Sequence, residues 1–247
     1  MRAYLIRIGI DQAYGGWNAP VDPVTREFVY VPIPESRPMR PELKKTYEDI
    51  VPALTSFAQS HVNARAALVR LPDALQSQQI HLDPDFSQLT YGDSGTRRGK
   101  GLTELGKDKD DVLVFYAGLK PVGPSEHRLL YALIGFYRIA EVVCAGSVPK
   151  TRWAENAHTR CIKTEPSDVI VRGQPGASGR LRRCIVMGEF RDKAYRVQRP
   201  ILDAWGGLSC KDGFLQRSAV LPTFLEPTKF MRWFEAQRPE LIAANNA

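Results

Sequence analysis

The chain has 247 residues, 43% hydrophobic and 25% charged, which excludes disorder over most of its length and lets a core form without disulfides or metals. The net charge of +7 favours a polyanionic partner, and no apolar run approaches the ~18 residues of a membrane helix, so a cytoplasmic location is expected. Cys144, Cys161, Cys184 and Cys210 form no C-x-x-C pair, which excludes a zinc knuckle or thioredoxin motif and predicts reduced, buried thiols.

Residues 3–10 alternate Ile, Leu and Tyr with polar positions and predict a first strand, ended by Asp11 and the loop Tyr14-Gly15-Gly16-Trp17-Asn18. A second strand is expected over 27–33, with Pro32 and Pro34 placing its end at a sheet edge. Pro41 suits a first helical position, and Leu43, Tyr47, Ile50, Leu54 and Phe57 carry helical spacing to about Ser60, with Pro52 as a break. Residues 73–111 are polar and turn-rich. Strands follow over 111–118, apolar on both faces, and over 131–143, with Gly135 as a bulge. The connection between them is too short for a helical crossover, so the pair should be antiparallel.

A short helix over 153–160, a strand over 168–172 and a basic Gly-rich loop over 173–183 come next. Residues 194–202 and 213–221 carry weaker signals, and a C-terminal helix is expected over 227–238 with Phe230, Trp233 and Phe234 on its apolar face. Strands outnumber helices without strict interleaving. That predicts an α+β fold in one domain over 1–247: a mixed, mainly antiparallel sheet or partly open β-barrel with flanking helices.

Five groups of residues could carry chemistry. Asp11 ends a strand before Gly15 and Gly16, where backbone can approach a ligand, and Tyr14 and Trp17 could stack on a base; an Asx turn with Trp17 in the core accounts for the same residues. In the Tyr91–Gly101 loop, glycines stand among Arg97, Arg98 and Lys100, a composition suited to phosphate or to a solvated loop. Arg180, Arg182 and Arg183 close a second such loop. In the run Glu155–Arg160, Asn156 and Arg160 share a helix face and His158 could act as general acid or base, or be structural.

The fifth group is His81-x-Asp83, followed by Asp85. A His-x-carboxylate pair with a distant His is the ligand set of non-haem iron oxygenases; His127 or His158 could complete it and Arg172 could hold an oxo-acid. Two-residue matches arise often by chance, the turn at Pro84 explains the two aspartates well, and eight barrel strands are lacking, so no metal ligand is assigned and the cofactor stays open. The absence of G-x-S-x-G, H-E-x-x-H and G-x-G-x-x-G counts against the corresponding hydrolases, zincins and dinucleotide enzymes.

Several phrases together carry a family resemblance: Ile6–Asp11 with Tyr14–Asn18, Tyr30–Glu35, His81–Phe86 with Tyr91–Asp93, Val114–Leu119, Tyr131–Gly135 and Glu155–Arg160. The chain resembles a nucleotide-modification-associated domain, the third class so named, from its start to near residue 225. The resemblance implies association with systems that hypermodify DNA bases in phages and in bacterial modification or defence loci, with a nucleotide or nucleic acid, and other proteins of such a system, as partners. It carries over no reaction. It marks Asp11, Asp83, Asp85, Asp93, Asn156, His158 and Arg160 as candidate positions. A looser likeness links strands 111–116 and 134–141 to base-binding PUA-like barrels at the level of fold.

Residues and resemblance together assign Asp11, Asp83, Asp93 and His158 to catalysis on a base or nucleotide. Tyr14, Trp17, Tyr91, Arg97, Arg98, Tyr116, Asn156, Arg160, Arg180 and Arg182 are assigned to binding. A non-catalytic reader of modified bases, an accessory subunit and a metal-dependent oxygenase using His81 and Asp83 are the alternatives.

Overall fold

The computed structural model describes residues 1–61, 69–94, 96, 100–106, 108, 110–123, 128–215 and 220–246. In chain order the strands are β1 (Ala3–Arg7), β2 (Pro20–Val21), β3 (Ile33–Pro34), β4 (Ile80–His81), β5 (Thr90–Ser94), β6 (Val112–Pro121), β7 (Leu130–Cys144), β8 (Asp168–Gly173), β9 (Gly179–Val186), β10 (Gly188–Arg191), β11 (Ala194–Val197) and β12 (Leu241–Ile242). The α-helices are α1 (Val51–Ser60), α2 (Asp73–Gln76), α3 (Ala157–Arg160), α4 (Arg199–Ala204) and α5 (Pro227–Ala236).

Eight strands form one mixed sheet around the long β6–β7 antiparallel pair, in the order β1-β6-β7-β8-β5. β1 and β2 run parallel to β6 at its two ends, and the remaining pairings are antiparallel. β8 and β9 both pair with the same edge of β7, which at fifteen residues is long enough for two partners end to end. The sheet is open: β1 and β5 do not pair with each other among the described residues.

Side-chain alternation along β6 divides the core in two. Leu113, Phe115, Ala117 and Leu119 face one side, where Tyr30, Tyr47, Leu54 and Phe57 from the N-terminal loops and α1 cover them. Val112, Val114 and Tyr116 face the other, under Trp205, Phe230 and Phe234. Phe230 and Phe234 fall on one face of α5, and the Phe234 ring stacks on Phe136 with centroids 4.7 Å apart. A β-bulge interrupts the β6–β7 register at Phe115/Tyr116, beside Gly135. There a Cβ would lie 2.4 Å from the Phe86 ring, so the close packing of that ring requires glycine.

Three local expectations change. Residues 41–60 are not one helix: short 3-10 turns at Pro41–Leu43 and Tyr47–Ile50 precede α1, and Pro52 sits in the first turn of α1, where its missing N–H costs nothing. The strand expected over 27–33 shrinks to Ile33–Pro34 with an isolated bridge at Phe28. The basic loop over 173–183 is mostly strand; only 174–178 leave the sheet, pinned where the Ser178 hydroxyl meets both the amide and the carbonyl of Arg138. No helix among the described residues is long and apolar enough to cross a membrane.

The C-terminal segment was not anticipated. β12 pairs with β9, and beyond it Asn246 exchanges two hydrogen bonds with the backbone of Tyr30, imitating a strand partner. Asn245 accepts from the Phe86 amide and donates to Asp85.

Candidate metal and nucleotide site

The turn after β4, strand β5 and helix α3 bring His81, Asp83 and His158 together, although 77 positions separate the two histidines in the chain. Asp83 is buried, and its Oδ1 accepts from the Gly92 amide and from Asn156 Nδ2, each at 2.8 Å. Its Oδ2 lies 3.7 Å from His81 Nε2 and 3.8 Å from His158 Nε2. Asn156 serves two groups at once: its side-chain oxygen caps α3 by accepting from the His158 amide at 2.9 Å, while its amide holds Asp83. Gly92 is required on β5 because a Cβ there would lie 2.5 Å from the His158 ring.

Each imidazole is oriented from behind by a carboxylate. His81 Nδ1 donates to Glu35 Oε2 at 2.6 Å, and His158 Nδ1 donates to Asp168 Oδ2 at 2.5 Å. Arg37 joins the two carboxylates, with one guanidinium nitrogen 3.2 Å from Glu35 and another 3.2 Å from Asp168. Burial raises the Glu35 carboxyl, but hydrogen bonds from His81 and Arg37 outweigh it and hold the group at about 2. Burial likewise opposes ionisation of Asp168, and His158 and Arg37 lower it. Burial disfavours charge on His81, yet Asp83 and Glu35 raise it to about 9, so positive charge is favoured where the ring meets Asp83.

This donor set fits a divalent cation. Nδ1 donation to a carboxylate is the usual support of a metal-bound histidine and leaves the Nε2 lone pair for the ion. The three donor atoms lie within 4.8 Å of one another. Bonds of about 2.0–2.2 Å to one ion would draw adjacent donors to about 3–3.5 Å, a closure of under about 2 Å. An ion would displace the proton that His81 favours in its absence; with both imidazoles then neutral, three carboxylates (Glu35, Asp83, Asp168) against one guanidinium (Arg37) leave two negative charges, the complement of a divalent ion.

The cluster opens on a cleft of about 460 Å³ that Arg7, Tyr91, Asp93, Ser94 and Glu165 also line. The Tyr91 hydroxyl donates to Asp93 Oδ2 at 2.9 Å. Arg7 is held by Asp11, whose Oδ2 lies 3.1 Å from its guanidinium, and lies over the Tyr131 ring.

Asp83, Asp93, His158 and Tyr91 thus share one cleft, with Asn156 directly behind. Other expected residues lie elsewhere. Asp11 stands one layer back, its Oδ1 closing its own turn by accepting from the amides of Ala13 and Tyr14. Tyr14 is exposed on that turn, Trp17 packs against the first core, and Tyr116 is buried in the second, on the opposite face of the sheet. Arg160 is buried 2.5 Å from Asp85, and that pair braces the turn after β4 from behind. Arg172 cannot hold an oxo-acid, because Glu155 and Glu141 neutralise it. Arg180 and Arg182 line a different cavity. Arg97, Arg98 and His127 lie outside the described residues. Glu35, Arg37 and Asp168 were missed; the one signal was Glu35, at the end of a phrase that carries the family resemblance.

Fold and site define an α+β protein with a histidine–carboxylate cluster in a cleft beside an edge strand of a mixed sheet. The model of nucleotide modification associated domain 3 matches residues 2–203, and the chain belongs to that family. The match ends short of the residue near 225 expected from the sequence and leaves α5 and the C-terminal segment outside it. No curated protein and no solved structure matches significantly.

Proposed function

We propose that this protein modifies a base or nucleotide with the help of one divalent transition-metal ion held by His81, Asp83 and His158. The carrying observation is the convergence of two imidazoles and one carboxylate, each fixed by a second polar partner, on a single point at the cleft wall. Two histidines and one carboxylate with open positions form the ligand set of mononuclear non-haem iron(II) enzymes. When bound, such an ion supplies Lewis-acid or redox chemistry on the cleft side.

The chain's own residues do the rest. Glu35, Asp168 and Arg37 hold the two rings in place, and Asn156 and the Gly92 amide hold Asp83. Asp93, carrying the Tyr91 hydroxyl, is the cleft carboxylate outside the triad best placed to accept a proton from a substrate. A base within duplex DNA must leave the stack to reach this cleft, so a mononucleotide or a single strand is the simpler substrate.

The test is nucleoside mass spectrometry after incubating iron(II)-loaded protein with mononucleotides and single-stranded DNA under air. A mass change lost in Asp83→Ala and His158→Ala supports the reading. Tight binding with the ligand recovered intact would assign a non-catalytic reader instead.

A further inference from the structure

We infer that Arg180 forms the floor of a second site, separate from the metal cleft, that takes a tetrahedral oxyanion of the phosphate class. Arg180 rises from β9 toward the first core and lies over the Phe28 ring at 4.9 Å. It is 4% exposed. The other buried or half-buried arginines of the sheet and site all meet carboxylates: Arg7 meets Asp11, Arg37 meets Glu35 and Asp168, Arg160 meets Asp85, and Arg172 meets Glu155 and Glu141. Arg180 meets none among the described residues; its hydrogen bonds go to the carbonyls of Ala244 and Leu181, both long at 3.4 Å.

A buried guanidinium without a counter-ion is costly to a fold, and an anion from solution removes the cost. Burial, and to a lesser degree the charge on Arg182, bring Arg180 down to about 10, which still leaves it cationic at neutral pH. The residue opens on a cavity of about 130 Å³ beneath α1, whose polar wall includes Ser56, Ser60 and Asn246. Of the other charged groups at this wall, Arg182 meets Glu240 at 2.6 Å, and Glu27 lies 3.2 Å from His61 Nε2, which also faces Asp22 at 3.5 Å. Arg180 is the buried cation at this wall, and only carbonyls meet its guanidinium among the described residues. The cavity shares no lining residue with the metal cleft, so the inference stands independently of the metal reading.

Free phosphate, the 5′-phosphate of a nucleotide and a nucleic-acid backbone phosphate all present this chemistry. The experiment titrates metal-stripped full-length protein with inorganic phosphate at constant ionic strength, against chloride, by calorimetry and thermal unfolding. Wild type should bind phosphate saturably at this site and melt at a higher temperature in phosphate than in chloride. Arg180→Gln should bind at least tenfold more weakly and lose the phosphate-dependent rise, while melting no lower than wild type in chloride. Arg182→Gln, whose charge is already matched, should change affinity less than threefold. A 5′-mononucleotide and an oligonucleotide lacking terminal phosphate, run as parallel arms, separate the three sources. No saturable phosphate binding by wild type, or equal affinity in wild type and Arg180→Gln, would overturn the inference; the wild-type titration decides even if a variant fails to fold.

Discussion

His81 and His158 meet edge to face with ring centroids 5.1 Å apart, and both direct Nε2 at the same oxygen of Asp83. Each ring is fixed from behind by its own carboxylate, and Arg37 ties those carboxylates together. The arrangement gathers two imidazole nitrogens around one carboxylate oxygen.

The outer carboxylates should therefore govern metal affinity. Glu35→Gln and Asp168→Asn keep shape but remove the charge that orients and polarises each imidazole. Each is expected to weaken binding of iron(II) or cobalt(II) about 10- to 100-fold, measured by equilibrium titration. Unchanged affinity in both would mean that the rings are not ligands.

Asn156 links stability to the site. Asn156→Ala removes the cap of α3 and leaves Asp83 with one fewer donor. A loss of about 1–3 kcal/mol in denaturant unfolding is expected, together with weaker metal binding. Asn156→Asp should restore the cap but not the donor to Asp83, so it should recover part of the stability and little of the metal affinity.

The second core should be separable from the site. Phe230 and Phe234 pack on the face of the sheet opposite the first core. Phe230→Ala should cost about 3–5 kcal/mol through the cavity it leaves, read from denaturant midpoints. Metal affinity of the folded fraction should not change.

The thiols should react unequally. Burial pushes Cys161 up to about 11 and Cys184 up to about 12, so both remain protonated at pH 8. Cys144 is exposed. Iodoacetamide at pH 8 followed by peptide mapping should label Cys144 first and leave Cys161 and Cys184 unmodified in the folded protein.

Much of the sheet was legible in the sequence. The strands expected over 111–118 and 131–143 are present, over 112–121 and 130–144, because a strand buried on both faces and a short connection leave few alternatives. The helix expected over 41–60 failed because apolar spacing alone cannot show that Pro52 begins a helix. His81, Asp83 and His158 were each visible: spacing tied His81 to Asp83 but left the third position open between His127 and His158, the latter on a helix more than seventy residues on. What joins them is the pairing of β5 with β8 and the Asn156 cap, tertiary facts with no local signature. Glu35 and Asp168 were illegible for the same reason, since a carboxylate that orients a histidine carries no spacing rule. The arginines misled in the opposite direction: composition pointed to phosphate loops, yet carboxylates match Arg160, Arg172 and Arg182, while Arg180 is buried with no carboxylate among the described residues.

The most direct measurement is metal stoichiometry. Metal-stripped wild type, titrated anaerobically with iron(II) and in parallel with cobalt(II) followed by its visible absorption, should bind one ion per chain. Asp83→Ala and His158→Ala, each still folded by circular dichroism, should bind none at the same concentrations. A wild type that binds no ion, or variants that bind as wild type does, would contradict the account.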